Sequence, residues 1–164
     1  MAELDTMLEA NELYAKGLDQ GGVAMPPARS VAVVACMDAR LQPERFLGLK
    51  VGDAHVIRNA GGRASDDAIR SLIISSRLLG TREFAVVHHT DCGMLTFSNS
   101  DLQGKLAAET GQDASAIDFL PFGDLEQSVR DDVAAIKASP FIDDDIPVTG
   151  FVYDVKTGRL NEVS

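Results

Sequence analysis

Val31-Ala32-Val33-Val34-Ala35 is a continuous apolar run rich in β-branched residues. A strand with no polar alternation has no face to give to water, so it belongs in a parallel sheet covered on both sides. His55-Val56-Ile57-Arg58, Phe84-Ala85-Val86-Val87-His88 and the stretch from Val148 to Val155 are further strand candidates. Between them the apolar spacing becomes helical. Ser65 is a predicted N-cap, with Asp66 and Asp67 in the first turn, where the helix dipole favours acids. Ile69, Leu72, Ile73 and Leu79 form that helix's apolar face, and Gly80 closes it. A helix is predicted over 124–137, with Leu125, Val129, Val133 and Ile136 on one stripe, and a shorter one near 101–109. Leu4, Met7, Leu8 and Tyr14 lie at helical spacing over 3–16, ahead of Gly17. Their stripe needs a partner, either the chain's own core or a second subunit. Residues 19–27 read as a Gly- and Pro-containing loop. The chain closes with a turn at Lys156-Thr157-Gly158 and an arm from Arg159 to Val163. The expectation is an α/β fold: a mostly parallel β-sheet flanked by helices, with an N-terminal helical arm and a C-terminal strand and hairpin. With 164 residues the chain can bury one core unaided. Residues 1–164 are therefore read as a single domain in which 1–17 is the arm.

In open parallel sheets, ligands bind beyond the carboxyl ends of the strands. The first run ends in Cys36-Met37-Asp38-Ala39-Arg40, and the third in His88-His89-Thr90-Asp91-Cys92-Gly93. The chain has 2 Cys and 3 His, so both cysteines and all but one histidine stand at such ends. Each feature alone has a plain structural reading: a core cysteine, a packed histidine pair, a surface Asp-x-Arg pair. A cysteine here is open to three readings: core residue, nucleophile or metal ligand. The joint placement favours a metal, because two thiolates and an imidazole form the mixed N/S set that zinc prefers. A fourth position would be left for water or a carboxylate, with Asp38 nearest. Composition narrows the partners. Asp+Glu is 25 against Lys+Arg 15, a net charge of −10, which argues against nucleic acid and anionic membrane. No apolar run reaches the roughly 18 residues of a membrane span. The acidic start, with no basic and apolar leader, predicts a cytoplasmic protein.

Cys36-Met37-Asp38-Ala39-Arg40 followed by His89-Thr90-Asp91-Cys92 resembles the paired signature of the β-class carbonic anhydrases. Arg58-Asn59-Ala60-Gly61-Gly62 is similar to the family's Arg-Asn-Ala-Gly segment. Gly150-Phe151-Val152-Tyr153-Asp154 with Thr157-Gly158 is similar to its last strand and turn. The resemblance runs from about residue 28 to residue 163. It implies that Cys36, His89 and Cys92 ligate Zn²⁺ and that Asp38 with Arg40 is the catalytic dyad. The implied reaction is reversible hydration of CO2 to bicarbonate and a proton by a zinc-bound hydroxide. The family's usual serines are replaced by Met37 and Ala39, and no upstream Gln stands near Met25-Pro26-Pro27. These departures point to a compact bacterial subgroup with relatives that hydrolyse carbonyl sulfide (COS) or carbon disulfide (CS2), which is the alternative substrate class. A closed structural zinc site or a thiol sensor is the non-enzymatic alternative. The family also implies a homodimer or higher homo-oligomer, with the N-terminal helix as an arm across the interface.

Two thiolates cancel the charge of Zn²⁺, so water there is acidified less than in a three-histidine site, and activity is expected to rise above roughly pH 7. Asp38, held by Arg40, would orient the nucleophile; released, it could ligate the metal and close the site. Gly61 and Gly62 are expected to let backbone approach the pocket near substrate, or simply to make a strand-to-helix turn. His88 is read as structural and His55 as a packing residue with a weaker reading as proton shuttle. Asp53 and Asp66 are read as capping or solvated, and Asp91 as bonding the amides of its own turn.

Overall fold

The structure is a computed structural model and describes residues 2–18 and 22–163. Residues 19–21 of the expected 19–27 loop lie outside the described residues. The elements in chain order are α1 (Glu3–Lys16), β1 (Val31–Cys36), α2 (Pro43–Phe46), β2 (Ala54–Asn59), α3 (Asp66–Leu79), β3 (Glu83–His89), α4 (Asn99–Thr110), α5 (Leu125–Lys137), β4 (Val148–Tyr153) and β5 (Leu160–Glu162). Short 3₁₀ turns follow β2 at Ala60–Gly62 and β3 at Gly93–Leu95.

The sheet order is β2-β1-β3-β4-β5. β1 pairs in parallel with both β2 and β3, β3 pairs in parallel with β4, and β5 returns antiparallel along β4. The expected α/β architecture is therefore what forms. β1 is an interior strand, paired on both sides, as its unbroken apolar run requires: Ala32, Val33, Val34 and Ala35 are all buried. Alternate residues serve opposite faces. Ala32, Val34, Phe84, Val86, Val148 and Val152 pack against Leu72 of α3 and Val129, Val133 and Ile136 of α5. Burying a side chain such as Leu72 contributes about 1.5–3 kcal/mol. The other face, with Val33, Ala35 and Val87, is covered in part by Phe46, Leu47 and Leu49 at and after α2.

Helix ends follow the residues expected to set them. Ser65 Oγ accepts from the Ala68 amide at 3.3 Å, and Gly80 takes the left-handed conformation that ends α3. Asp124 accepts from the Gln127 amide at 2.8 Å and starts α5. α4 begins earlier than expected. Ser98 and Asp101 cap it reciprocally, Ser98 Oγ accepting from the Asp101 amide and Asp101 accepting from the Ser98 amide. β4 stops at Tyr153 instead of Val155 because Asp154 opens the hairpin turn, bonding across it to Arg159 and Gly158. α1 has no buried residue, and Leu4, Met7, Leu8 and Tyr14 are all exposed. Of the two coverings expected for this stripe, the chain's own core supplies neither contact nor shelter.

Candidate metal centre

The chain order places β2 and β3 on opposite sides of β1, so the connections leaving β1 and β3 open away from one another at the sheet's carboxyl edge. Cys36 closes β1 and His89 closes β3, and the turn after β3 returns Cys92 to the same edge. The ligand atoms of Cys36, His89 and Cys92 lie within 4.8 Å of one another, and all three residues are buried. His89 Nδ1–H donates to the Thr90 carbonyl at 2.8 Å, which leaves the lone pair on Nε2. Among the described residues, His89 Nε2 is the one buried side-chain polar atom without a hydrogen-bond partner. An orphaned acceptor facing two thiols is the arrangement that a thiophilic cation satisfies. The donor set therefore fits zinc.

The two thiols are too close to ionise independently. The Cys92 hydrogen bond pulls the Cys36 thiol down to about 4 against the effect of burial, with help from the His89 ring and the amides of Asp38 and Gly61. The Cys36 thiolate and burial push Cys92 far up in return. Leu41 and Met94 pack on the cysteines, and Phe46, Phe97, Phe122, Tyr153 and Val155 surround that cluster.

Asp38 stands next to this cluster, its Oδ2 3.8 Å from His89 Nε2. Arg40 grips it through Nε–H to Oδ1 at 2.9 Å and Nη2–H to Oδ2 at 2.7 Å, and the Arg40 amide also donates to Oδ1. Those bonds hold the Asp38 carboxyl well below the usual carboxylate range. Asp91 behaves differently from its sequence reading. It does not bond the amides of its turn; its carboxylate accepts from Arg40 Nη1 at 2.6 Å, and its carbonyl accepts from Nη2 at 2.9 Å.

Gly62 has φ +69, and a Cβ there would stand 2.8 Å from the Cys36 amide nitrogen and 3.0 Å from the Val87 carbonyl oxygen. The turn after β2 therefore seals against the sheet's carboxyl edge by backbone contact. Gly61, φ +83, meets the side chains of Met94 and Arg63.

Two arginine arrangements brace this edge. Arg58 donates from Nε to the Cys36 carbonyl at 2.9 Å and from Nη2 to the Asp38 carbonyl at 2.7 Å, fixing the loop that carries both. The Arg-Asn-Ala-Gly segment marked Arg58 in the sequence, and the parallel register, with Arg58 opposite Ala35, brings it to the Cys36 loop. Behind the cluster, Arg63 forks onto Asp132 of α5 at 2.8 and 3.1 Å and donates to the Leu120 carbonyl. His88 Nε2–H donates to the same carboxylate at 2.9 Å, and Nδ1 bonds Ser128 Oγ. The structural reading of His88 therefore holds, on the face opposite His89. His55 sits at the amino end of β2 and bonds Ser75 Oγ, at the opposite end of the strand from Asn59 and the metal ligands' edge; the shuttle reading finds no support. Asp53 accepts from the Lys50 amide, and Asp66 lies in the first turn of α3, as capping roles require.

A family model for carbonic anhydrase matches residues 31–160. The chain belongs to the β-carbonic anhydrase family. It is similar to β-carbonic anhydrase 1 of Mycobacterium tuberculosis, 48% identical, the match covering 100% of this chain and 99% of the relative. A carbonic anhydrase from Streptococcus mutans has the same fold with a TM-score of 0.96 and 48% identity, covering 100% and 99% of the two chains. A carbon disulfide hydrolase from Acidianus sp. is more distant, 35% identical over 97% of this chain and 88% of its own. β-Carbonic anhydrases are zinc enzymes, and the Cys36, His89 and Cys92 cluster is a donor set suited to that metal. The expectation of a zinc-dependent enzyme of this family is met.

Proposed function

We propose that this chain catalyses the reversible hydration of CO2 to bicarbonate and a proton, with Cys36, His89 and Cys92 holding zinc and Asp38 and Arg40 acting as the catalytic dyad. The observation that carries the reading is the orphaned His89 Nε2 facing two buried sulfurs, with an arginine-held carboxylate 3.8 Å away. Zinc bound by these residues supplies Lewis acidity that brings the ionisation of water toward neutral pH.

The remaining work falls to side chains of this chain. Asp38, ionised because Arg40 holds it, would accept a hydrogen bond at Oδ2 from the nucleophile's O–H, without taking the proton, and so aim the oxygen lone pair at carbon. Arg40 keeps that carboxylate from turning to the cluster itself. Arg58 fixes the carbonyls on either side of Met37, so the loop presenting Cys36 and Asp38 moves as one piece. Leu41, Met94, Phe97 and Phe122 make the surroundings apolar, which suits a neutral linear substrate and excludes bulk water. Gly61 and Gly62 leave backbone, not side chain, at this edge. COS and CS2 have the same linear shape; the higher identity to a carbonic anhydrase favours CO2.

The test is stopped-flow CO2 hydration by the zinc-loaded protein at about pH 8.5, above the ~7 reference for water on a catalytic zinc. Fast, chelator-sensitive turnover is expected. Turnover of CS2 with none of CO2 moves the chain to the hydrolases, and no turnover of either overturns the enzymatic assignment. Arg40→Ala is expected to lose about tenfold or more of kcat, the loss of an orienting group.

The chain is also read as one domain acting as a homodimer or higher homo-oligomer. Two observations support this: the exposed stripe of α1, and a cavity of about 200 Å³ on the partly covered sheet face, where Val31, Val33, Leu47 and Leu49 meet Arg29 and Glu83. The compartment we assign is the cytoplasm, where two unbridged thiols stay reduced.

A further inference from the structure

We propose that Asp91 is a positioning residue for the Asp38–Arg40 pair, the second carboxylate that keeps Arg40 in the rotamer from which it holds Asp38. The inference rests on the dyad assignment above and extends it to Asp91, which stands between His89 and Cys92 and has no part in the dyad or the ligand set.

Arg40 is nearly half exposed, with 48% of its side chain accessible. A long side chain in that position has many solvated rotamers, and one carboxylate at one edge of the guanidinium does not by itself select one of them. Here both edges are gripped. Nε–H and one Nη2–H go to Asp38, while the other Nη2–H goes to the Asp91 carbonyl and one Nη1–H to its carboxylate. Four of the five guanidinium N–H groups are thereby engaged, two from each side.

Asp91 reaches Arg40 with two different acceptors because of its backbone. Its φ is +57, in the left-handed region that Asp tolerates better than most residues. That conformation turns both its carbonyl and its side chain toward Arg40. It lies in the turn between His89 and Cys92, while Asp38 lies in the loop after Cys36. Arg40 is therefore a staple between the two connections that carry the three candidate ligands. Without the Asp91 carboxylate, the guanidinium keeps only the backbone carbonyl of residue 91 at its outer edge, and its hold there is weakened. Asp38, 3.8 Å from His89 Nε2, then loses the partner that keeps it facing away from the cluster.

The test compares Asp91→Gly, which removes the carboxylate while allowing the left-handed backbone, with Asp91→Asn, which keeps an acceptor oxygen and tolerates the same φ. Both are made alongside Arg40→Ala in the full-length protein. The expected result is a kcat about tenfold lower in Asp91→Gly, with KM within about twofold, the pattern of lost orientation rather than lost substrate affinity. Asp91→Asn is expected to recover most of that loss. The readout independent of turnover is the Arg40 Nε–H resonance in a ¹⁵N spectrum of the metal-free protein. It is expected to be sharp and protected from exchange in the parent, and broadened or lost in Asp91→Gly, with thermal midpoints unchanged. If Arg40→Ala lowers kcat but Asp91→Gly changes neither kcat nor the Nε–H signal, the positioning role is wrong and the dyad stands. If Arg40→Ala leaves kcat unchanged, the dyad and the role of Asp91 both fall.

Discussion

Among single residues, two glycines with left-handed φ differ sharply in what they tolerate. Gly62 has left-handed φ and the Cys36 and Val87 backbone where a Cβ would go, whereas Gly80 has left-handed φ with open space around it. Gly80→Ala is expected to cost about 1 kcal/mol, the conformational penalty alone. Gly62→Ala is expected to cost several times that, about 3 kcal/mol or more, because backbone must move on both sides of it. Urea unfolding of the two variants checks the contrast, and equal losses would show that the close approach at Gly62 relaxes freely. The sequence carried the dipeptide but not which glycine faced the sheet. Cys36, Asp38, Arg40, His89 and Cys92 were legible because their chemistry is rare and their spacing is short within each half. Asp91 was misread because its partner is 51 positions away, in a loop joined to it only by the parallel sheet.

At the scale of elements, the Arg63–Asp132 pair joins the turn after β2 to α5. The side chains are only 13% and 5% exposed, so removing one partner leaves a buried charge. Asp132→Asn is expected to destabilise the fold by about 3 kcal/mol at neutral pH, because Arg63 keeps its charge and loses its counter-ion. Burial pushes the Asp132 carboxyl up, but His88 and Arg63 outweigh it and hold its pKa below the usual value. A carboxylate held low in the folded state stabilises it fully above the unfolded value of about 3.9, and that contribution is lost as pH falls through the folded value. Stability of the parent should therefore fall below about pH 4 more steeply than that of Asp132→Asn, measurable by urea titration at pH 3 and pH 7. Neither member of this pair was singled out from the sequence, since an acid on α5 and an arginine 69 positions earlier share no local pattern. α2 was missed for another reason: four residues do not complete two turns, so no apolar period exists to read.

For the molecule as a whole, α1 and the partly covered sheet face are two apolar surfaces that the proposed homo-oligomer would cover. A second copy laid across both would bury Leu4, Met7, Leu8 and Tyr14, now exposed. Deleting residues 2–17 is expected to lower the oligomer's mass in light scattering while leaving far-UV helix and strand signals of the remaining elements intact. An unchanged mass would remove α1 from the interface. Zinc binding to the folded chain alone raises its stability by mass action, so a chelator is expected to lower the thermal midpoint with the secondary structure unchanged at room temperature.

The α/β class, the buried strands, most helix ends and the Cys36, His89 and Cys92 donors were legible in the chain, because each is written in short-range periodicity or in a rare residue type. The sequence also determined the sign of the surface and the family signature. Only the tertiary structure decided which carboxylates Arg40 holds, which glycine seals the sheet edge, how Arg58 and Arg63 brace the loops, and that α1 leaves its apolar stripe bare. Those outcomes depend on strand order and register. Parallel pairing brings together residues dozens of positions apart, and no local pattern records which ones will meet.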